Sequence, residues 1–293
     1  MNTTAAMTLR RLNDERPEWR PWLSVLDEVL HETLDTNWED FVPRLSQRRA
    51  HVPFLAKTSI VLSPDRLRRW SLRLIRAAAA GGTHPMATLQ SMTRAELPVV
   101  ELFRAALCQD VRTLDEIARR YGADGAALRA VAALLPMPFL HACSRRLGSS
   151  AANWLDGYCP LCGAWPAFAE VRGIERARYL RCGRCGEEWL IHWLYCPFCA
   201  LADHDQLVSL VPQTGAPARL IEACKRCGGY LKSFTLLQGT DAFGVMIDDL
   251  ASVDLDIAAI EQGYRRQEGP GYALNLLVGE QQTFSLRFLS WGR

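Results

Sequence analysis

The chain has 293 residues, is 49% hydrophobic and 23% charged, and carries a formal charge of +2. This is the composition of a globular protein long enough for about two domains with a true core. So small a net charge excludes a strong electrostatic pull toward nucleic acid or an anionic membrane.

Residues 1–20 hold charges and prolines without an apolar core segment, so no secretory signal is read there and the cytosol is the expected compartment. No run approaches the roughly 18 uninterrupted apolar residues of a membrane span. The longest candidate, 123–143, is broken by Arg129, Pro136 and Pro138. No membrane insertion is expected.

Residues 17–34 place Trp22, Val25, Leu26, Val29 and Leu30 on one face at helical spacing. Ser63-Pro64-Asp65 reads as a cap followed by proline at the first helical position. The helix it opens runs through Leu67, Trp70, Leu74 and Ile75 to a stop at Gly81-Gly82. Arg66, Arg68, Arg69, Arg73 and Arg76 line its other side, either as a solvated face or as a docking surface for an acidic partner. Further helices are predicted over 93–107, 113–121 and 124–135, with a shorter one over 139–147. Cys108 and Cys143 fall among apolar neighbours and read as buried, inert thiols. Residues 1–150 should form a helical bundle, with a hinge at Gly148-Ser149-Ser150.

After Trp154, read as an anchor, the pattern changes to short β segments around four Cys-x-x-Cys pairs: Cys159/Cys162, Cys182/Cys185, Cys196/Cys199 and Cys224/Cys227. Two residues between thiols let one tight turn aim both sulfurs at a point, and two such turns supply a tetrahedral metal site. Strands are predicted over 177–181, 188–195, 219–223 and 230–237. Sequential pairing joins Cys159, Cys162, Cys182 and Cys185 in one site and Cys196, Cys199, Cys224 and Cys227 in a second. An interleaved arrangement would join the first pair to the third and the second to the fourth. Sequential pairing is favoured because 187–195 reads as one strand linking two modules. Gly163, Gly186 and Gly228 follow the second cysteine of their pairs, where the chain must turn back with positive φ. Ala200 stands at the matching place in the third pair, so that knuckle is expected to differ.

Four thiolates suit zinc or iron alike. The ions either staple the fold or cycle between oxidation states. His192 and His204 lie in this region but are read as non-ligands, since each site already has four sulfurs. Closed sites leave no open coordination position, and the chain has no phosphate loop, nucleophile elbow or His-Glu-x-x-His helix. Nothing here argues for an enzyme. The expected fold is α+β: an N-terminal helical bundle (1–150), then two tandem rubredoxin-like or zinc-ribbon modules (151–238, about 154–195 and 190–238). A C-terminal helix over 245–262 and a tail complete 239–293, with no firm structure predicted after 269.

The stretch 154–264 resembles the FdhE family of formate dehydrogenase accessory proteins. The residues that carry this are Tyr158-Cys-Pro-Leu-Cys-Gly163, Pro166, Arg178-Tyr-Leu-Arg-Cys-Gly-Arg-Cys185 with Glu188-Trp189, and Cys196-Pro-Phe-Cys199. They continue in Glu222-Ala-Cys-Lys-Arg-Cys-Gly-Gly-Tyr-Leu-Lys232 and Asp248-Asp-Leu-Ala-Ser-Val-Asp-Leu-Asp256. The resemblance implies a cytoplasmic assembly factor that contacts the catalytic subunit of respiratory formate dehydrogenase, and two metal ions, iron favoured and zinc possible. Two alternatives are a rubredoxin-like electron-transfer protein and a zinc-ribbon nucleic-acid binder. Arg181, Arg184, Lys225 and Arg226 motivate the latter, and Glu187, Glu188 and Glu222 offset them.

Overall fold

A computed structural model describes residues 3–44, 50–81, 83–147, 154–211 and 218–280. The expected hinge at 148–150 lies outside the described residues, as does the end of the tail from 281.

Helix α1 (Thr3–Glu15) leads through a 3-10 turn to α2 (Arg20–Thr33), which buries Leu23, Val25, Leu26, Val29 and Leu30. Strand β1 (Ser59–Leu62) precedes α3 (Pro64–Ala79). The Ser63 hydroxyl accepts the Arg66 N–H, and Leu67, Trp70, Leu74 and Ile75 are buried, as the cap and spacing require. A short α4 (His84–Ala87) and a 3-10 segment follow, then α5 (Val99–Cys108). The helix expected over 93–107 therefore starts late. Pro98 forces Leu97 out of helical geometry, so the helix begins only after it. Helices α6 (Val111–Tyr121) and α7 (Gly125–Leu134) are capped by Asp110 and Asp124, whose carboxylates accept the N–H groups of Thr113 and Ala127. In α8 (Met137–Leu147) Pro138 sits in the first turn, where its missing N–H costs nothing. Residues 125–147 are apolar and long enough to cross a membrane, but 78% of that window is buried inside the fold. They are core.

Six strands form one sheet in the order β4-β3-β2-β7-β6-β5. These are β2 (Phe168–Arg172), β3 (Ala177–Arg181), β4 (Glu188–Leu190), β5 (Leu207–Leu210), β6 (Arg219–Cys224) and β7 (Tyr230–Leu236). Neighbours are antiparallel except at the centre, where β2 runs parallel to β7 with Phe168 opposite Lys232. Each half is thus a three-strand antiparallel ribbon, and the second repeats the first beside it without inversion. The strand expected over 188–195 stops at Leu190, and Leu194 takes φ 51°, so the link between ribbons is a loop.

The C-terminal helix expected over 245–262 is two helices, α9 (Gly244–Ala251) and α10 (Val253–Glu261). The Ser252 hydroxyl donates to the carbonyls of Asp248 and Asp249, and its backbone leaves the helical region. Leu255 and Ala259 pack on the sheet with Phe168, Ile221, Ala223 and Phe234. Strand β8 (Leu277–Glu280) lies where no structure was expected, parallel to β1. One apolar core runs through both halves: Trp38, Trp70, Phe103 and Phe139 share it with Cys159, Cys162, Cys182, Cys185 and Trp189.

Candidate metal centres

All four cysteine turns have the same backbone. The N–H of the residue after each second cysteine donates to the carbonyl of the first: Gly163 to Cys159 at 2.9 Å, Gly186 to Cys182 at 3.0 Å, Ala200 to Cys196 at 3.0 Å and Gly228 to Cys224 at 2.9 Å. Each first cysteine returns the closure by donating its N–H five residues on, to Ala164, Glu187, Leu201 and Gly229. Gly163, Gly186 and Gly228 have φ of 70°, 74° and 69°, and Ala200 has φ 56°. The third knuckle was expected to differ and does not. A methyl group in the left-handed region costs about 1 kcal/mol, which the closed turn outweighs.

The sulfurs gather in chain order. Those of Cys159, Cys162, Cys182 and Cys185 lie within 4.8 Å of one another, and so do those of Cys196, Cys199, Cys224 and Cys227. In the first cluster Cys159 and Cys185 are 3.5 Å apart, Cys162 and Cys182 3.6 Å, and Cys162 and Cys185 3.9 Å. In the second, Cys196–Cys227 and Cys199–Cys224 are both 3.8 Å. Metal–sulfur bonds of about 2.3 Å in a tetrahedron put sulfurs about 3.8 Å apart. None of the ten cysteines forms a disulfide. The eight clustered sulfurs are therefore a donor set of the right number, type and size for two ions.

Electrostatics agree with that reading. In the first cluster the thiols of Cys159 and Cys162 shift in opposite directions. Burial pushes Cys159 well up, while hydrogen bonds from Cys159, Cys182 and Cys185 hold Cys162 well down. Burial likewise pushes Cys185 well up, and a dication is what lets such buried thiols ionise. In the second cluster the backbone N–H groups of Cys199 and Phe198 face Cys196, and those of Cys227 and Arg226 face Cys224.

Several side chains around the clusters gain a definite place in the fold. Arg181 is buried on Glu170, and Arg184 donates to the carbonyls of Ala106 and Leu107 at the end of α5. Two of the four cations that suggested a nucleic-acid surface are thus internal ties. In the arginine row of α3, Arg66 pairs with Asp35 and stacks over Trp38, and Arg73 pairs with Glu28 and Glu32. Part of that row finds its acidic partners in its own chain. Cys143 is buried as expected, with its thiol pushed up by burial, whereas Cys108 is only half-buried. His192 and His204 are exposed and stand apart from both sulfur clusters. The Trp154 indole N–H donates to the Tyr158 carbonyl at 2.8 Å and steadies the entry to the first knuckle.

Sequence alone did not reveal the ties between ribbons. Buried Arg178 on β3 donates to Glu222 on β6 at 2.5 Å and to the His192 carbonyl in the linking loop. Lys232 on β7 is fully buried between Asp249 and Asp256, Tyr230 donates to Asp256, and Arg266 pairs with Asp249. Arg178, Glu222, Tyr230, Lys232, Asp249 and Asp256 all lie in the stretches that carry the family resemblance, but their pairing needs the fold.

The fold and the eight sulfurs define a ribbon protein with two clusters of four cysteines, carried on a helical body. Residues 180–277 match the family model described as FdhE, C-terminal domain. The chain is similar to the FdhE homolog of Aquifex aeolicus, with 31% identity over 135 residues, 45% of this chain and 47% of that one. It is 38% identical to the FdhE homolog of Pseudomonas aeruginosa over 116 residues, 37% of each chain, and 30% identical to an Escherichia coli FdhE over 142 residues, 44% and 45%. The matches span less than half the length of these relatives. In fold, the crystal structure of the FdhE protein from Pseudomonas aeruginosa superposes with a TM-score of 0.55 at 23% identity, over 92% of this chain and 94% of that one. The resemblance to FdhE read from the knuckles is upheld.

Proposed function

We propose that this chain is an accessory protein of formate dehydrogenase formation. It binds the catalytic subunit of respiratory formate dehydrogenase in the cytoplasm and promotes its maturation, without turning over a substrate itself. The observation that carries the reading is the FdhE C-terminal match over 180–277, which covers the second, third and fourth knuckles and the ion pairs that fix α9 and α10 to the sheet. Two ions held by Cys159, Cys162, Cys182, Cys185 and by Cys196, Cys199, Cys224, Cys227 stabilise the ribbons, which are too small to hold themselves by apolar burial alone. Iron is favoured through the family resemblance, and zinc satisfies the same donors. Complete four-sulfur sets support a binding role over catalysis.

Reciprocal pull-downs from cells producing both proteins test the reading. The catalytic subunit is expected to co-purify with this chain in both directions, and failure in both contradicts it.

One observation favours electron transfer as a second reading: Cys199 and Cys227 are part-exposed, as a centre exchanging electrons with a partner requires. Anaerobic purification then yields a coloured protein that bleaches on reduction. Colourless protein with two zinc ions removes this alternative.

A further inference from the structure

The two sulfur clusters have the same turns and the same spacing but opposite surroundings. Cys159, Cys162, Cys182 and Cys185 are each 0% exposed. Four separate segments close over them. The N–H groups of Phe54 and Leu55 donate to the carbonyls of Pro160 and Leu161 in the first knuckle. The Tyr272 N–H donates to Gly163 at 2.8 Å. Arg184, inside the second knuckle, is tied to the end of α5, and a Cβ on Gly186 would stand 2.4 Å from Ala242. Opening this cluster means separating the helical core from the first ribbon.

The second cluster is covered less completely: Gly157 abuts Pro197 and the Arg265 N–H donates to the Gly228 carbonyl at 2.9 Å, but other parts of it face solvent. Cys199 and Cys227 are part-exposed, Ala200, Lys225 and Arg226 are exposed, and a Cβ on Gly228 would meet nothing within 4 Å. A cavity of about 250 Å³ reaches its other side, with Cys196, Phe198, Cys224 and Gly229 in the wall. Phe198 lies beside this cluster, packed edge-on against Trp165 at 5.4 Å. Two of its four cysteines are thus open to solvent in part, where none of the first cluster is.

We propose that the two centres have different jobs: Cys159, Cys162, Cys182 and Cys185 hold a permanent structural ion, while Cys196, Cys199, Cys224 and Cys227 form an exchangeable site. This site gives up and regains its ion while the rest of the chain stays folded. The ribbon β5–β7 then becomes a metal-responsive element on a body that the first centre keeps rigid. Local opening at the part-exposed knuckles of one cluster costs far less than global unfolding, which is what separates the two exchange rates. The proposal rests on both clusters binding metal.

The test uses the full chain reconstituted with zinc, the coloured chelator 4-(2-pyridylazo)resorcinol, and iodoacetamide to trap freed thiols for peptide mapping. One equivalent of zinc is expected to leave at least about ten-fold faster than the other, with the first label on Cys196, Cys199, Cys224 and Cys227. Phe198→Ala should speed the fast phase and leave the slow one unchanged. Release of both ions at one rate, or first labelling at Cys159–Cys185, overturns the proposal. Fewer than two zinc ions per chain before chelator is added overturns the two-centre reading itself, and the ion count separates that failure from the first.

Discussion

Lys232 Nζ lies 2.8 Å from Asp256 Oδ2, and the lysine side chain has no solvent exposure. The same ammonium reaches Asp249 at 2.6 Å, so one buried cation on the central strand β7 holds both C-terminal helices. A buried charge stripped of its partner is costly, and so is a carboxylate pair left facing each other. Lys232→Met is therefore expected to lower stability by about 3 kcal/mol, because Arg266 still neutralises part of the remaining charge. Urea unfolding with metal present measures it. A change within experimental error would mean that the helices are held by their apolar contacts alone.

Glycine after the second cysteine is required at one knuckle and dispensable at another. At Gly186, with φ 74°, a Cβ would stand 2.4 Å from the Ala242 Cβ and 2.7 Å from its backbone, so Gly186→Ala combines strain with a clash against chain that cannot retreat. A loss of at least about 2 kcal/mol is expected. Ala200→Gly goes the other way: it relieves a left-handed alanine in open surroundings, and stability should change by less than about 1 kcal/mol. Thermal denaturation of the two variants beside the parent distinguishes them.

His141 provides a pH signature. It is buried, stacks on Phe243 at 5.1 Å, and burial, with Arg145 adding to it, lowers its pKa to about 3. Its folded value is below the unfolded value of about 6.5, so the unfolded chain binds the extra proton. This group therefore leaves stability unaffected above pH 7 and subtracts from it as pH falls from 6.5 toward 3. Between pH 7 and pH 5 the cost is about 2 kcal/mol. His141→Phe should remove that part of the acid sensitivity, so the stability difference between parent and variant should shift by this amount over the interval. A difference independent of pH would place the histidine's proton elsewhere.

Local features of this chain were legible in its sequence, and distant pairings were not. The knuckles, the Ser63 cap of α3 and the apolar face of α2 are set by residues within one or two turns of each other. Strands β1 and β8 were missed because Ser59 finds Leu277 only in the folded chain. The parallel contact of β2 and β7, which welds two ribbons into one sheet, is equally non-local. Arg181 and Arg184 looked like surface cations because nothing nearby in sequence shows that Glu170 and the end of α5 await them. The break at Ser252 was hidden by a helical pattern continuous over 245–262. The Ser252 hydroxyl bonds two carbonyls at the point where the helix divides.

The eight clustered sulfurs pair in chain order as two sets of four, and the ion count of one double variant reports on that pairing. Cys196→Ser with Cys227→Ser removes half the ligands of one cluster and none of the other. Native mass spectrometry of the anaerobically purified variant should show one ion per chain where the parent shows two. An interleaved arrangement takes one sulfur from each site, so both ions are affected alike. A variant with no bound ion, or one that still holds two, contradicts this pairing.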